Sequence, residues 1–197
     1  MQKLQSKQKK LLELTMMQQR IKDILKSHQG INYGFVAIEN FVFNKDFHDS
    51  CASNRCGKYG TNWACPPGAG TFEELRSKIS NFSHGLVIQT TWEIKDSFDI
   101  EGMLESGRQH NAIFREVAGK VTPMLSGKPL VLSAGACDLC ESCSYILKRP
   151  CRKPEAAIGS LEAYGVDVGA LLDTCGLQYR KDVKTLSYVG VIMFNQP

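Results

Sequence analysis

The chain has 197 residues, 43% of them hydrophobic, and 24 Lys and Arg against 20 Asp and Glu give a formal charge of +4. That length and apolar share support one buried core with a small extension at most, and so mild a charge does not indicate nucleic-acid binding. No apolar run behind the first basic residues reads as a signal peptide and no stretch reaches membrane-span length, so the expected location is cytoplasmic, where eight cysteines argue for metal rather than disulfides.

In chain order, Gln8 to His28 is predicted as an amphipathic helix. Leu14, Met17, Ile21 and Ile24 recur at steps of three and four, with Leu11 and Leu25 widening the stripe. Lys3, Lys7, Lys9, Lys10, Arg20, Lys22 and Lys26 make this arm basic, either as the solvated face of a docked helix or as one that engages a partner or membrane surface. Gly30 ends it, which sets residues 1–30 apart as an N-terminal helix and 31–197 as a cysteine-rich metal-binding domain. Tyr33 to Phe43 reads as a strand with apolar residues on both faces, hence a covered central one.

Next comes Cys51-x4-Cys56-x8-Cys65-Pro66-Pro67. Gly57, Gly60, Gly68 and Gly70 lie among these cysteines, where they let the chain turn sharply and its N–H groups approach sulfur. Three cysteines leave a four-thiolate shell one short. Tyr59 and Trp63 read as packing residues that shield the site, and His48 as a lone surface histidine.

Thr71-Phe72-Glu73-Glu74 is a capping box opening a helix to Phe82, and Leu86 to Trp92 alternates as a strand. Glu101 to Leu125 is a second long helix, its apolar stripe running through Ile113, Phe114, Val117, Val121 and Met124, weakened by Gly102, Gly107 and Gly119 and stopped by Pro123. Pro129 to Ala134 is a short apolar strand leading into Cys137. Beyond Cys151, Pro154 to Gly165 is predicted helical. Asp167 caps a further helix that stops at Cys175-Gly176, and Leu186 to Phe194 is the last strand. This alternation implies an α/β or α+β fold, a roughly four-stranded mixed sheet with helices packed on it. The two cysteine groups follow the first and third strands. If those strands run parallel and close together, both metal loops open at one sheet edge.

The strongest motif is Cys137-Asp138-Leu139-Cys140-Glu141-Ser142-Cys143, followed by Pro150-Cys151. An x2–x2 spacing lets one tight loop aim three thiolates at three corners of an iron–sulfur cubane, with a fourth arriving beside a proline. Bacterial ferredoxins place that fourth cysteine three residues on, whereas here the gap is seven, so Cys151 serves this cluster or a neighbouring one. Structural zinc favours two distant C-x2-C pairs and fits less well; buried apolar cysteines are the remaining alternative.

The simplest division gives Cys137, Cys140, Cys143 and Cys151 to one 4Fe–4S cluster and Cys51, Cys56, Cys65 and Cys175 to a second. Exchanging Cys65 with Cys151 fits the spacing equally, and Cys175 is as well suited to be a small buried residue. Lys148, Arg149, Arg152 and Lys153 crowd Cys151, where positive charge stabilises a reduced, more negative cluster. Asp167 is accounted for as a cap. Glu162 falls mid-helix with no visible partner and is not a strong acid–base candidate.

Two motifs together carry a resemblance: Cys51…Cys56…Tyr59-Gly60…Trp63…Cys65-Pro66-Pro67, and Cys137-x2-Cys140-x2-Cys143…Pro150-Cys151-Arg152-x-Pro154-Glu155…Ser160-x-Glu162-Ala163-x-Gly165-x-Asp167-Val168. From about residue 33 onward the chain resembles a family of prokaryotic proteins catalogued as "predicted metal-binding protein", a domain of unknown function. The N-terminal helix lies outside the match, and Lys153 stands where that family often has histidine. The resemblance implies metal binding through these cysteines and assigns no reaction.

Three functions follow. The first is a protein with one or two 4Fe–4S clusters that exchanges electrons with a redox partner protein. The second is an iron–sulfur enzyme with an open iron at Cys51, Cys56 and Cys65. The third is a zinc-stabilised binding module whose basic helix engages a partner. No dinucleotide fingerprint, phosphate loop or hydrolase triad is present, so whether the chain is an enzyme stays open.

Overall fold

The computed structural model describes residues 2–28, 30–179 and 182–195. Among these, five α-helices and five strands build an α+β architecture. The strands are β1 (Ile31–Ala37), β2 (His84–Glu93), β3 (Ser126–Ser133), β4 (Gly159–Ser160) and β5 (Thr185–Asn195), and the helices are α1 (Gln2–Lys26), α2 (Lys45–Ser50), α3 (Phe72–Ile79), α4 (Ile100–Val121) and α5 (Val168–Thr174). The sheet runs β1-β2-β5-β3-β4, antiparallel throughout except for the β3–β4 pair. β5 is central, registered from Thr185 against Glu93 to Phe194 against His84 on one side and against β3 on the other.

Alternation along β2 and β5 sends side chains into two cores, one on each face. Leu86, Ile88, Ile192 and Phe194 meet Ile21 and Leu25 of α1 and Phe114, Val117 and Val121 of α4. On the other face Val87, Val189, Val191 and Met193 meet Leu75 and Ile79 of α3, Leu171 and Leu172 of α5, and Leu161, Tyr164 and Val166.

The capping box is in place, with Glu74 N–H donating to Thr71 Oγ1 and Thr71 N–H to the Glu74 carboxylate. Asp167 caps α5 through Ala170 N–H, and Pro123 falls just beyond the end of α4. Three expectations are corrected. β1 is an edge strand, although both its faces are covered; it ends at Ala37 and a short 3-10 turn over Ile38–Asn40 follows. The sheet has a fifth strand, β4, within the stretch expected to be helical. Gly159 sits so tightly against Leu132 and Tyr164 that a Cβ there would lie 2.8 Å from the leucine, and Leu161, Ala163, Tyr164 and Val166 are all buried, so tertiary packing overrides helix propensity. Finally, β1 and β3 run antiparallel with two strands between them, so their ends point opposite ways.

Candidate metal centre

The first cysteine loop reaches the β4 edge by crossing the sheet face instead of emerging beside it. Phe41 buries beneath Gly85, and Phe43 bridges to Val166. Asp167 N–H donates to Val42 O and Asn44 N–H to Gly165 O, which lays this strip along residues 165–167. Asn44 then caps the unforeseen α2, and Cys51 follows at its end. His48 is not a free surface residue: its Nδ1 donates to Ala163 O at 2.6 Å. Gly57 and Gly60 take positive φ in the turn that holds Cys56, and Gly60 N–H donates to Pro66 O to close the loop. Cys65 is buried, and Ser160 N–H from β4 donates to the carbonyl of its neighbour Ala64.

The second loop leaves β3 at Ser133 and is fastened to α4 and to its own returning segment at residues 149–153. Asp138 accepts from Asn111 Nδ2 at 3.0 Å on one oxygen and from Arg115 Nη2 at 2.7 Å on the other. Behind Asn111 a chain of hydrogen bonds runs into the core. Trp92 Nε1 donates to Thr90 Oγ1, which fixes the hydroxyl proton toward His110 Nδ1; His110 Nε2 donates to Ser133 Oγ, and Ser133 donates to Asn111 Oδ1. None of these partners of the cysteine loop was foreseen. The available signal was spacing, since His110 falls on the apolar stripe four residues before Phe114 and Asn111 stands four before Arg115. At the returning segment, the Arg152 guanidinium donates to Ser142 O, Lys153 Nζ reaches Leu139 O at 3.5 Å, and Lys153 N–H points at Cys151 Sγ at 3.4 Å.

The two loops meet at Trp63. Its ring stands edge-on to Tyr145 with centroids 4.9 Å apart, and its Nε1 donates to Arg149 O. Tyr145 also rests on Gly68, where an added Cβ would lie 2.7 Å from the ring. Next to this contact, Cys137, Cys140, Cys143 and Cys151 share the wall of one cavity of about 700 Å³ with Trp63 and Ala64. Among the described residues no three His, Cys, Asp or Glu side chains stand close enough to cage a metal ion outright. The donor set nonetheless suits a thiophilic metal: four half-buried thiols face a common space, with N–H donors and cations beside them.

Cys51, Cys56 and Cys65 also share a neighbourhood, and Glu162 belongs to it. Burial above all pushes the Cys65 thiol up to about 11; Asn62 pulls it down, and Cys56, Cys51 and Glu162 push it further up. Cys51 is raised by burial, then by Glu162 and Cys56. Glu162 is in a turn, not a helix, and its Oε2 accepts from Ser160 Oγ at 2.6 Å and from Gly135 N–H at 3.3 Å. Cys175 lies elsewhere. It caps the C-terminus of α5 and rests on the edge strand β1, where a Cβ on Gly34 would meet its Sγ at 2.7 Å. Burial alone raises its pKa.

A family model described as "Predicted metal-binding protein (DUF2284)" matches residues 34–194. The chain belongs to this family. The DUF2284 match takes in all eight cysteines, Glu162 and the sheet from Gly34 to Phe194, and it leaves out α1. Metal binding is the property that the family description attaches to this domain. No curated protein and no solved structure matches the chain. Among the described residues, no helix is long and apolar enough to cross a membrane.

Proposed function

We propose that this chain is a cytoplasmic iron–sulfur protein that holds a 4Fe–4S cluster on Cys137, Cys140, Cys143 and Cys151 and exchanges electrons with a protein partner. The observation that carries the reading is that these four thiols, separated by up to fourteen positions in the chain, line a single cavity. Such a cluster, when bound, supplies one-electron transfer.

The chain's own residues prepare the place. Asn111 and Arg115 grip Asp138 and hold the first two cysteines of the motif against α4. Arg152 and Lys153 lash the returning segment to the carbonyls of Ser142 and Leu139, and their charge favours a more anionic, reduced centre. Trp63 and Tyr145 cover one flank and limit water access.

The test is iron, sulfide and zinc quantitation per chain after anaerobic purification, with an electron paramagnetic resonance spectrum of the reduced protein. Near-stoichiometric iron and sulfide with a cubane signal are expected. Zinc without iron would select the zinc-stabilised module and overturn the electron-transfer reading.

A further inference from the structure

The Cys51–Cys56–Cys65 group lacks a fourth protein ligand, and the fold removes the one that spacing offered. Cys175 packs on β1 at the opposite edge of the sheet from β4. We propose that Glu162 is the fourth donor, making a site of three thiolates and one carboxylate distinct from the all-cysteine centre. This deepens the iron–sulfur reading and rests on it for the identity of the metal.

The placement is geometric. Residues 160–167 form the seam on which the first cysteine loop lies. At one end Ser160 N–H holds Ala64, next to Cys65; at the other, Gly165 and Asp167 hold Asn44 and Val42, which lead into the helix that ends at Cys51. His48, one turn before Cys51, is tied to Ala163 O. Glu162 sits within that seam, between the anchors of Cys51 and Cys65. Its Oε2 is fixed by Ser160 and Gly135, and its Oε1 makes no hydrogen bond among the described residues. The side chain is half-buried and forms no ion pair there. A half-buried carboxylate whose charge bears on Cys51 and Cys65, with no cation paired to it among the described residues, leaves negative charge that a metal would neutralise.

Carboxylate oxygen is a competent fourth donor beside thiolates on iron or zinc. Among the described residues these side chains do not yet cage an ion, so metal binding would draw the Cys51–Cys65 turn toward the anchored seam. Gly135 adds a link: the same carboxylate oxygen touches the backbone two residues before Cys137, so a metal at the first group would bear on the second loop.

The experiment compares anaerobically prepared wild type, Glu162→Gln, Glu162→Cys and Cys175→Ala by iron content, electron paramagnetic resonance and thermal midpoint. Gln keeps an oxygen to accept from Gly135 and Ser160 but removes the anionic donor. Expected are loss of the iron held by the first cysteine group in Glu162→Gln with the signal of the all-cysteine centre retained, recovery with an altered signal in Glu162→Cys, and wild-type iron in Cys175→Ala. Wild-type iron and spectrum in Glu162→Gln, or iron loss in Cys175→Ala, would overturn the assignment. Should wild type carry no iron, the electron-transfer reading falls by itself, and cobalt(II) titration still decides Glu162. Glu162→Cys must then strengthen the thiolate-to-cobalt absorption and Glu162→Gln weaken cobalt affinity, and unchanged titrations sink the proposal.

Discussion

His110 has no solvent exposure, and burial drives its pKa from 6.5 to about 4. It is therefore neutral in the fold at neutral pH, as the Thr90–His110–Ser133 chain requires. Between those two values the unfolded chain binds a proton that the folded chain refuses, so stability rises with pH across that window and is lost as pH falls through it. At about 1.4 kcal/mol per unit, the loss reaches roughly 2 kcal/mol by pH 5. Urea unfolding of wild type and His110→Gln at neutral and mildly acidic pH is expected to show a steeper decline for wild type by about that amount; parallel declines would mean that His110 does not carry the effect. Because the chain from His110 ends at Asp138, this buried side chain is mechanically continuous with the cysteine loop.

At the scale of elements, α1 lies outside the family match yet is built into the core. Ile21 and Leu25 are 0% and 1% exposed against α4 and the sheet. Ile21→Ala is expected to cost about 2–5 kcal/mol in denaturant unfolding, through lost burial and the void left behind; a change near zero would mean that α1 is a detachable arm. Elements governed by local rules were legible in the sequence. Thr71 and Glu74 announced α3, Asp167 announced α5, and the stripe of Phe114, Val117 and Val121 announced α4. Elements governed by remote contacts were not. β4 is two residues long and exists only because Leu132 and Ser133 lie alongside it. The two loops touch through Trp63 and Tyr145, whereas the expectation rested on parallel neighbouring strands. The contact arises because residues 42–48 fold back over residues 163–167, a pairing that no local pattern encodes.

Across the whole molecule, the seven thiols of the two loops lie where segments with little regular structure converge, so the metal is expected to act as a structural member as well as a cofactor. Thiolate sites bind with roughly 10 kcal/mol or more, comparable to the entire stability of a domain. Chelation or Cys140→Ala is expected to lower the thermal midpoint sharply and reduce soluble yield; an unchanged midpoint after complete stripping would show that the two cores suffice without it.

The position of β5 carries a consequence for how the protein is made. This strand stands between β2 and β3, yet it follows every cysteine along the chain. On the ribosome, all eight sulfhydryls emerge before the piece that unites the two halves of the sheet. Completion of the sheet thus waits for Thr185–Asn195, which joins β2 to β3 only after every thiol has been made.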